Sequence, residues 1–205
     1  SPFFEFTKEF MNFEPEAWSL RWYRQMVGIS SIGDTTVVTD KWMLGTRNSF
    51  FVGIVATLLA TALGTVAALG LSRPHMPFKA VLMAILISPM IVPLIITAAG
   101  MFFFYSKIGL THSYLGLILA HTALGTPFVV ITVTATLTGF DTNLIRASQS
   151  LGADTIRTFF KIIMPLILPG VISGGLFAFI TSFDEVVVVM FIGSVEQITI
   201  PKQMW

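Results

Sequence analysis

The chain has no cysteine among its 205 residues and few charged residues. The absence of cysteine excludes disulfides and metal sites built on thiolates. Charged residues make up 11% of the chain, whereas a soluble domain carries about 25%. Hydrophobic residues make up 54%, and the mean hydropathy is +0.82. A globule of this length cannot bury so much apolar surface, so the lipid bilayer is the expected solvent.

Several motifs of enzymes and nucleotide-binding proteins are also missing. No G-x-x-x-x-G-K-[ST] sequence is present, which excludes ATP binding through a P-loop. An H-E-x-x-H motif, a nucleophile elbow and a basic block are absent as well. The sequence therefore gives no indication of a metal enzyme, a hydrolase or a nucleic-acid partner. His121 has no second ligand at metal spacing and is predicted to be a buried, hydrogen-bonded histidine. We therefore expect no catalytic residue, metal ion or cofactor in this chain.

The sequence contains instead four apolar segments of membrane-spanning length, about 20 residues each. Pro89 and Pro93 in the second segment, and Gly125, Thr126 and Pro127 in the third, predict breaks in the helices. The expected fold is an all-α, polytopic transmembrane helical bundle over residues 48–205. Its predicted spans are residues 49–71, 80–105, 114–137 and 165–192.

Residues 1–47 contain no spanning segment and are rich in aromatic residues. Trp18, Trp22 and Met26 recur at helical spacing, which predicts a short amphipathic helix over residues 14–27. Tryptophan favours the membrane–water interface, so this helix is expected to lie there. A loop is predicted over residues 28–40.

The positions of lysine and arginine predict the orientation in the membrane. The turn 72–79 carries Arg73 and Lys79 without an acid, and residues 139–164 carry three basic residues against two acids. Both connections are therefore expected on the cytoplasmic side, with residues 1–47 outside. Both ends of the chain are then extracytoplasmic, which predicts that a first and a last span are missing from this sequence.

The connection over residues 139–164, the polar loop, includes most of the stretch RASQSLGADTIRTFFKIIMP. One apolar stripe precedes Gly152 and a second one follows it. Because glycine permits a sharp turn, the pattern predicts two short helices bent at Gly152 on the cytoplasmic surface of the membrane. An ordinary solvated loop is the alternative.

The polar loop resembles the EAA motif of ABC importer permeases, which reads Glu-Ala-Ala, a glycine shortly after, then Ile-x-Leu-Pro. Ala147 and Gly152 match this spacing, as do Ile162 and Pro165. Ser148 stands at the second alanine, and the chain also departs from the motif at Arg146 and Met164. The stretches TPFVVITVTATLTGFD, LGADTIRTFFKIIMPLILPGVISG and SFDEVVVVMFI are similar to the spermidine/putrescine-type permeases.

This resemblance implies a type I importer permease in a bacterial inner membrane, without an ATPase site of its own. Its expected partners are membrane lipids, a cytoplasmic ATPase dimer that binds ATP and Mg²⁺, a second and distinct permease, and an extracytoplasmic solute-binding protein. The polar loop would be the coupling helix that docks on the ATPase. The expected coupling residues are Arg146, Ala147, Ser148, Leu151, Gly152, Asp154, Ile156 and Arg157.

Asp184 and Glu185 are acids inside an apolar segment, where each costs about 2.5–3.5 kcal/mol on insertion scales. They are expected to face a cavity or a partner, and neighbouring residues cannot share one helix face. The expected pathway residues are these two acids with Tyr105, Ser88 and Pro89. Acids there favour a cationic solute, as does the resemblance to polyamine permeases. The alternatives are another small solute (amino-acid-like, an opine or another organic cation), an intramembrane enzyme pairing an acid with His121, or a channel.

Overall fold

The computed structural model describes residues 4–6, 15–18, 36–73, 75–139, 141 and 143–205. Over these residues the chain forms a bundle of helices preceded by one short antiparallel ribbon. The strands are β1 (Phe4–Phe6) and β2 (Pro15–Trp18). The helices are α1 (Thr36–Leu71), α2 (Lys79–Ile91), α3 (Leu94–Ile108), α4 (Tyr114–Thr138), α5 (Asn143–Ser150), α6 (Thr155–Thr158), α7 (Met164–Phe183), α8 (Val187–Ile192) and α9 (Ile200–Met204), with a π-helical turn (Phe159–Ile163) between α6 and α7.

The predicted amphipathic helix over residues 14–27 is wrong where the structure describes it. Pro15–Trp18 is strand β2, which pairs antiparallel with β1 so that Phe4 lies opposite Trp18. Aromatic residues favour paired strands, and proline is tolerated at the first position of a strand. The rest of the predicted helix lies outside the described residues.

Helix α1 is longer than the first predicted span. It has 36 residues and begins at Thr36, so the last part of the predicted loop 28–40 is helical and the domain boundary at residue 47 falls inside a helix. The apolar stretch Lys41–Leu71 alone has 31 residues. At 1.5 Å per residue it is about 46 Å long, which exceeds the roughly 30 Å of the hydrocarbon core.

The second predicted span is divided into α2 and α3, whose axes differ by 105°. The predicted break therefore occurs, but at Pro93 and not at Pro89, which lies inside α2. Val92 is extended, with φ −72° and ψ 137°, because the residue before a proline is pushed out of the helical region. The break is far sharper than a proline kink.

The predicted break in the third segment is wrong. Helix α4 runs through Pro127 without a break; this proline is buried, and both α1 and α7 pack on α4. Neighbouring helices of this kind compensate for a proline in a membrane span. The fourth predicted segment, residues 165–192, is interrupted after Phe183 and resumes at Val187.

Helices α1, α4 and α7 form the centre of the bundle, and two apolar clusters lie along α1 and α4. The first cluster joins α1, α3, α4 and α8, and the second joins α1, α4 and α7. Among the described residues, three helices are long and apolar enough to cross a membrane, and the bent pair α2–α3 adds a fourth if the two helices count as one span. Four spans therefore stay a prediction.

Candidate functional site

The polar loop has the two predicted helical arms, joined by a tight turn at Gly152. Gly152 has φ +82°, a left-handed conformation that favours glycine. Its N–H donates to Gln149 O at 2.9 Å, and Ala153 N–H donates to Ser148 O at 3.0 Å. This pair of bonds is the Schellman motif, which ends α5 and satisfies two of its last carbonyl groups.

The second arm begins at once after the turn. The Asp154 carboxylate accepts a hydrogen bond of 2.7 Å from Arg157 N–H, so it caps the first turn of α6. From Thr155 the helix continues through the π-helical turn into α7, giving one helical stretch of 29 residues that ends at Phe183. One arm of the polar loop is therefore the beginning of a membrane-length helix.

Most of the predicted coupling residues lie on the surface of the polar loop. Leu151 and Ile156, on opposite sides of the Gly152 turn, are 89% and 70% exposed. Both large apolar side chains are therefore exposed at the tip of the loop. The other exposed members of the predicted set are Arg146, Ala147, Gly152, Asp154 and Arg157.

Ser148 is the exception among the predicted coupling residues. Its side chain is buried, and its hydroxyl oxygen lies 2.9 Å from the Thr158 hydroxyl oxygen, inside the loop. The Ser148 side chain is therefore turned into the loop, and its role in coupling stays a prediction. Because the second arm folds back over α5, the face that carries Ser148 is covered by Thr158.

The structure separates the two adjacent acids of the fourth segment. Asp184 is exposed, whereas Glu185 is buried, and its Oε1 accepts a hydrogen bond of 2.9 Å from Val188 N–H. Glu185 therefore satisfies a free donor in the first turn of α8, as the side chain of a helix cap does. Asp184 is left as the acid that is available to a ligand.

Two adjoining cavities lie where the broken helices meet. One, of about 330 Å³, is lined by Asp184, Glu185 and residues of the α7–α8 break. The other, of about 380 Å³, is lined by residues of the α2–α3 break together with Phe128 and Glu185. Leu94, Thr181 and Glu185 line both cavities, so the two helix breaks enclose one continuous region. Thr181 and Leu94 were not predicted, since nothing in the sequence relates the two breaks.

The remaining pathway residues predicted from the sequence do not all join this region. Pro89 lines the 380 Å³ cavity and also a third cavity of about 500 Å³, which Tyr105 lines as well. Ser88 lines none of these three cavities, and its hydroxyl donates to Ile85 O at 2.8 Å within its own helix. The structure therefore places Asp184 with Glu185, Glu185 with Pro89, and Pro89 with Tyr105, and it leaves Ser88 apart.

His121 is buried and hydrogen-bonded, as predicted. Its Nδ1 lies 2.7 Å from the Ser182 hydroxyl oxygen, and the residue is 1% exposed. This bond ties α7 to α4 just before the helix break. Because His121 pairs with Ser182 and not with Asp184 or Glu185, the acid–histidine pair required by the enzyme alternative is not formed.

Hydrogen bonds to Asn48 and Ser49 of α1 hold the segment that follows α8. The sequence did not predict these bonds. The buried Asn48 side chain donates to Glu196 O at 2.8 Å and to Ile198 O at 2.9 Å. Tyr114 Oη lies 3.0 Å from Asn48 Oδ1, and Ile200 N–H donates to Ser49 Oγ at 2.8 Å. The signal in the sequence was that one amide residue and one hydroxyl residue, Asn48 and Ser49, begin an apolar run.

A bundle of membrane-length helices, with an acidic cavity beside a helix break, is the architecture of a multi-pass membrane protein. The family model described as "Binding-protein-dependent transport system inner membrane component" matches residues 60–204. The chain belongs to this family, whose members are transport subunits and not enzymes, and the predicted resemblance to importer permeases is confirmed.

Similar proteins agree with the family assignment. The spermidine/putrescine transport system permease protein PotC of Haemophilus influenzae is 28% identical over 200 residues, covering 98% of this chain and 74% of that protein. PotC of Escherichia coli K12 is 27% identical over 177 residues, covering 86% of this chain and 63% of that protein. A bacterial ABC transporter for the acidic polysaccharide alginate shares the fold, with a TM-score of 0.69 at 16% identity over 92% of this chain and 62% of that one.

Proposed function

We propose that this chain is a permease subunit of an ATP-driven importer in a bacterial inner membrane, and that it conducts a small cationic solute of the polyamine class. The names of the relatives support the substrate class. The observation that carries the proposal is the exposed Asp184 carboxylate in the cavity beside the α7–α8 break. Among the described residues no basic side chain forms an ion pair with it, so its charge remains available to a cation.

The cavity suits a cation better than it suits a neutral or anionic solute. Its acidic lining residues, Asp184 and Glu185, are accompanied by apolar residues and one hydroxyl, and no basic side chain lines it. The Asp184 carboxylate attracts an amine cation, and the attraction increases where the substrate and the neighbouring apolar side chains exclude water. The apolar remainder of the wall accommodates the methylene groups of such an amine.

Movement of the solute requires partners that supply energy and direction. We propose a cytoplasmic ATPase dimer docked on the exposed face of the polar loop, with ATP and Mg²⁺ bound by that dimer and no cofactor in this chain. A second, distinct permease completes the pathway, and an extracytoplasmic solute-binding protein delivers the solute. Membrane lipids cover the outward apolar faces, such as the side of α1 that exposes Leu58, Leu63 and Val66.

The docking of the ATPase is tested by placing a charge on the exposed tip of the polar loop. Leu151→Glu introduces an acid into an 89% exposed apolar position, so it opposes burial against a partner without disturbing the core. We expect loss of ATPase co-purification with the membrane complex. Val195→Glu is the matched control, because Val195 is 76% exposed in the segment after α8. Retention of the ATPase by Leu151→Glu would contradict the docking assignment.

The substrate class is tested by neutralising Asp184. Asp184→Asn removes the charge at constant shape, and loss of an attraction of about 1 kcal/mol weakens uptake roughly fivefold. We expect this loss for spermidine or putrescine uptake into proteoliposomes, with the amount of assembled complex unchanged. Glu196→Gln, which removes an exposed acid outside the cavity, is expected to retain uptake. Unchanged polyamine uptake by Asp184→Asn would exclude the electrostatic argument and favour another small solute.

A further inference from the structure

The two arms of the polar loop are joined by a buried pair of hydroxyl groups. Ser148, on α5, is 6% exposed and Thr158, the last residue of α6, is 2% exposed, and their hydroxyl oxygens are 2.9 Å apart. The flanking residues Leu151, Gly152 and Ile156 are all exposed. A hydrogen bond shielded from water within an otherwise exposed loop is stronger and longer-lived than one in contact with solvent.

The direction of this hydrogen bond follows from the number of hydrogens available. The Ser148 hydroxyl has one hydrogen, which it donates to Ile145 O at 2.8 Å. Thr158 must therefore be the donor in the bond between the two hydroxyl groups. The result is a chain of two bonds that runs from Thr158 through Ser148 to the backbone of α5, so it fixes α6 to the main chain of the other arm.

The position of Thr158 connects the hydroxyl pair to α7. Thr158 lies directly before the π-helical turn Phe159–Ile163, which continues into α7. Ser148 lies on the arm whose outer face is exposed to a partner. Besides this hydroxyl pair, the arms are joined by the Gly152 turn and by packing of α5 on α6 and on the π-helical turn, and a turn between two elements is where a chain bends.

We propose that Ser148 and Thr158 are positioning residues that fix the angle between the two arms, so that displacement of α5 by the ATPase is transmitted to α7. This inference rests on the proposed function, since it requires the ATPase to dock on the polar loop. It assigns Ser148 a role inside the loop in place of the partner contact predicted from the sequence. Thr158 was not predicted at all.

Conservative substitutions can remove this hydrogen bond without disturbing the helices. The EAA motif that the loop resembles has alanine at the position of Ser148, and alanine is the best helix former. Ser148→Ala therefore removes the hydroxyl without disfavouring α5. Thr158→Val removes the other hydroxyl and keeps the branched shape, whereas Thr158→Ser keeps the hydroxyl.

The experiment measures solute transported per ATP hydrolysed by the complete transporter in proteoliposomes. We expect Ser148→Ala and Thr158→Val each to lower this ratio by about twofold to twelvefold, the range that corresponds to one neutral hydrogen bond. The double variant should be no worse than either single one, because both remove the same bond. Thr158→Ser should keep the ratio, as should the control Ser150→Ala, whose exposed hydroxyl bonds only to Arg146 O.

The remaining outcomes separate this inference from the function on which it rests. If the ATPase co-purifies and both single variants keep the wild-type ratio, or Thr158→Ser loses it as Thr158→Val does, the inference alone is overturned. Alternatively, the amount of assembled complex falls in both single variants by the same factor as the ratio of solute transported to ATP hydrolysed. In that case the pair is merely structural, and the inference is again overturned. If the wild-type complex contains no ATPase, the proposed function and the inference both fail.

Discussion

Helices α4 and α7 approach each other closely at Gly174, and the distances there predict how much a larger side chain destabilises the protein. A Cβ atom added to Gly174 on α7 would lie 2.7 Å from Val129 Cα and would also meet the Thr132 hydroxyl. Carbon atoms in contact prefer about 3.5–4.0 Å, and a backbone atom cannot rotate away. Gly174→Ala therefore requires the two helices to separate by about 1 Å. Overpacking of this kind costs about 1–3 kcal/mol.

The assay is equilibrium unfolding of the purified protein in detergent, compared with a glycine that has free space around it. Gly100 lies inside α3, and no atom lies within 4 Å of a Cβ added there. Gly100→Ala should raise the free energy of unfolding by up to about 1 kcal/mol through helix propensity, while Gly174→Ala lowers it by about 1–3 kcal/mol. Equal stability of the two variants would refute the close approach of α4 and α7.

Two further predictions concern polar groups that hold irregular segments. Glu185→Ala leaves Val188 N–H buried without an acceptor, so we expect a loss of about 1–3 kcal/mol in unfolding free energy, whereas Glu185→Gln, which keeps an oxygen, should lose much less. Asn48→Ala leaves the carbonyl oxygens of Glu196 and Ile198 without their donor. We expect faster backbone hydrogen exchange over residues 193–199, measured by mass spectrometry.

Each of these predictions has a clear contrary result. Equal losses for Glu185→Ala and Glu185→Gln would mean that the charge, and not the capping oxygen, stabilises α8. For Asn48→Ala, exchange as slow as in the wild type would show that the segment is held by other contacts. Asn143→Ala is the control there, because Asn143 is exposed on the polar loop.

The sequence was most informative where one residue type dictates a local outcome. Gly152 predicted the turn between two arms because glycine adopts positive φ without strain. Pro93 is one of the two prolines predicted to break the second span, and the break occurs there. The adjacent acids Asp184 and Glu185 marked a functional region because charges inside apolar segments are costly. The resemblance of the polar loop to a known motif was sufficient to indicate the family, because that motif is a local pattern of residues.

Predictions failed where neighbouring elements decided the outcome. Pro127 is a helix breaker by its own chemistry, yet α4 stays continuous through it because α1 and α7 both pack on α4. Nothing in the sequence indicated that the second arm would cover the Ser148 side chain. Residues 15–18 had helical spacing, yet they form a strand because β1 supplies a partner.

By itself, the sequence determined that the chain is a membrane protein with several apolar helices, and which polar residues inside those apolar segments require an explanation. These properties depend on composition and on local backbone chemistry, which each residue carries with it. Only the tertiary structure decided that Asp184 faces a cavity while Glu185 caps a helix, and that Ser148 points inward to Thr158. Those outcomes depend on distances between residues far apart in the chain, which are fixed by how the helices pack.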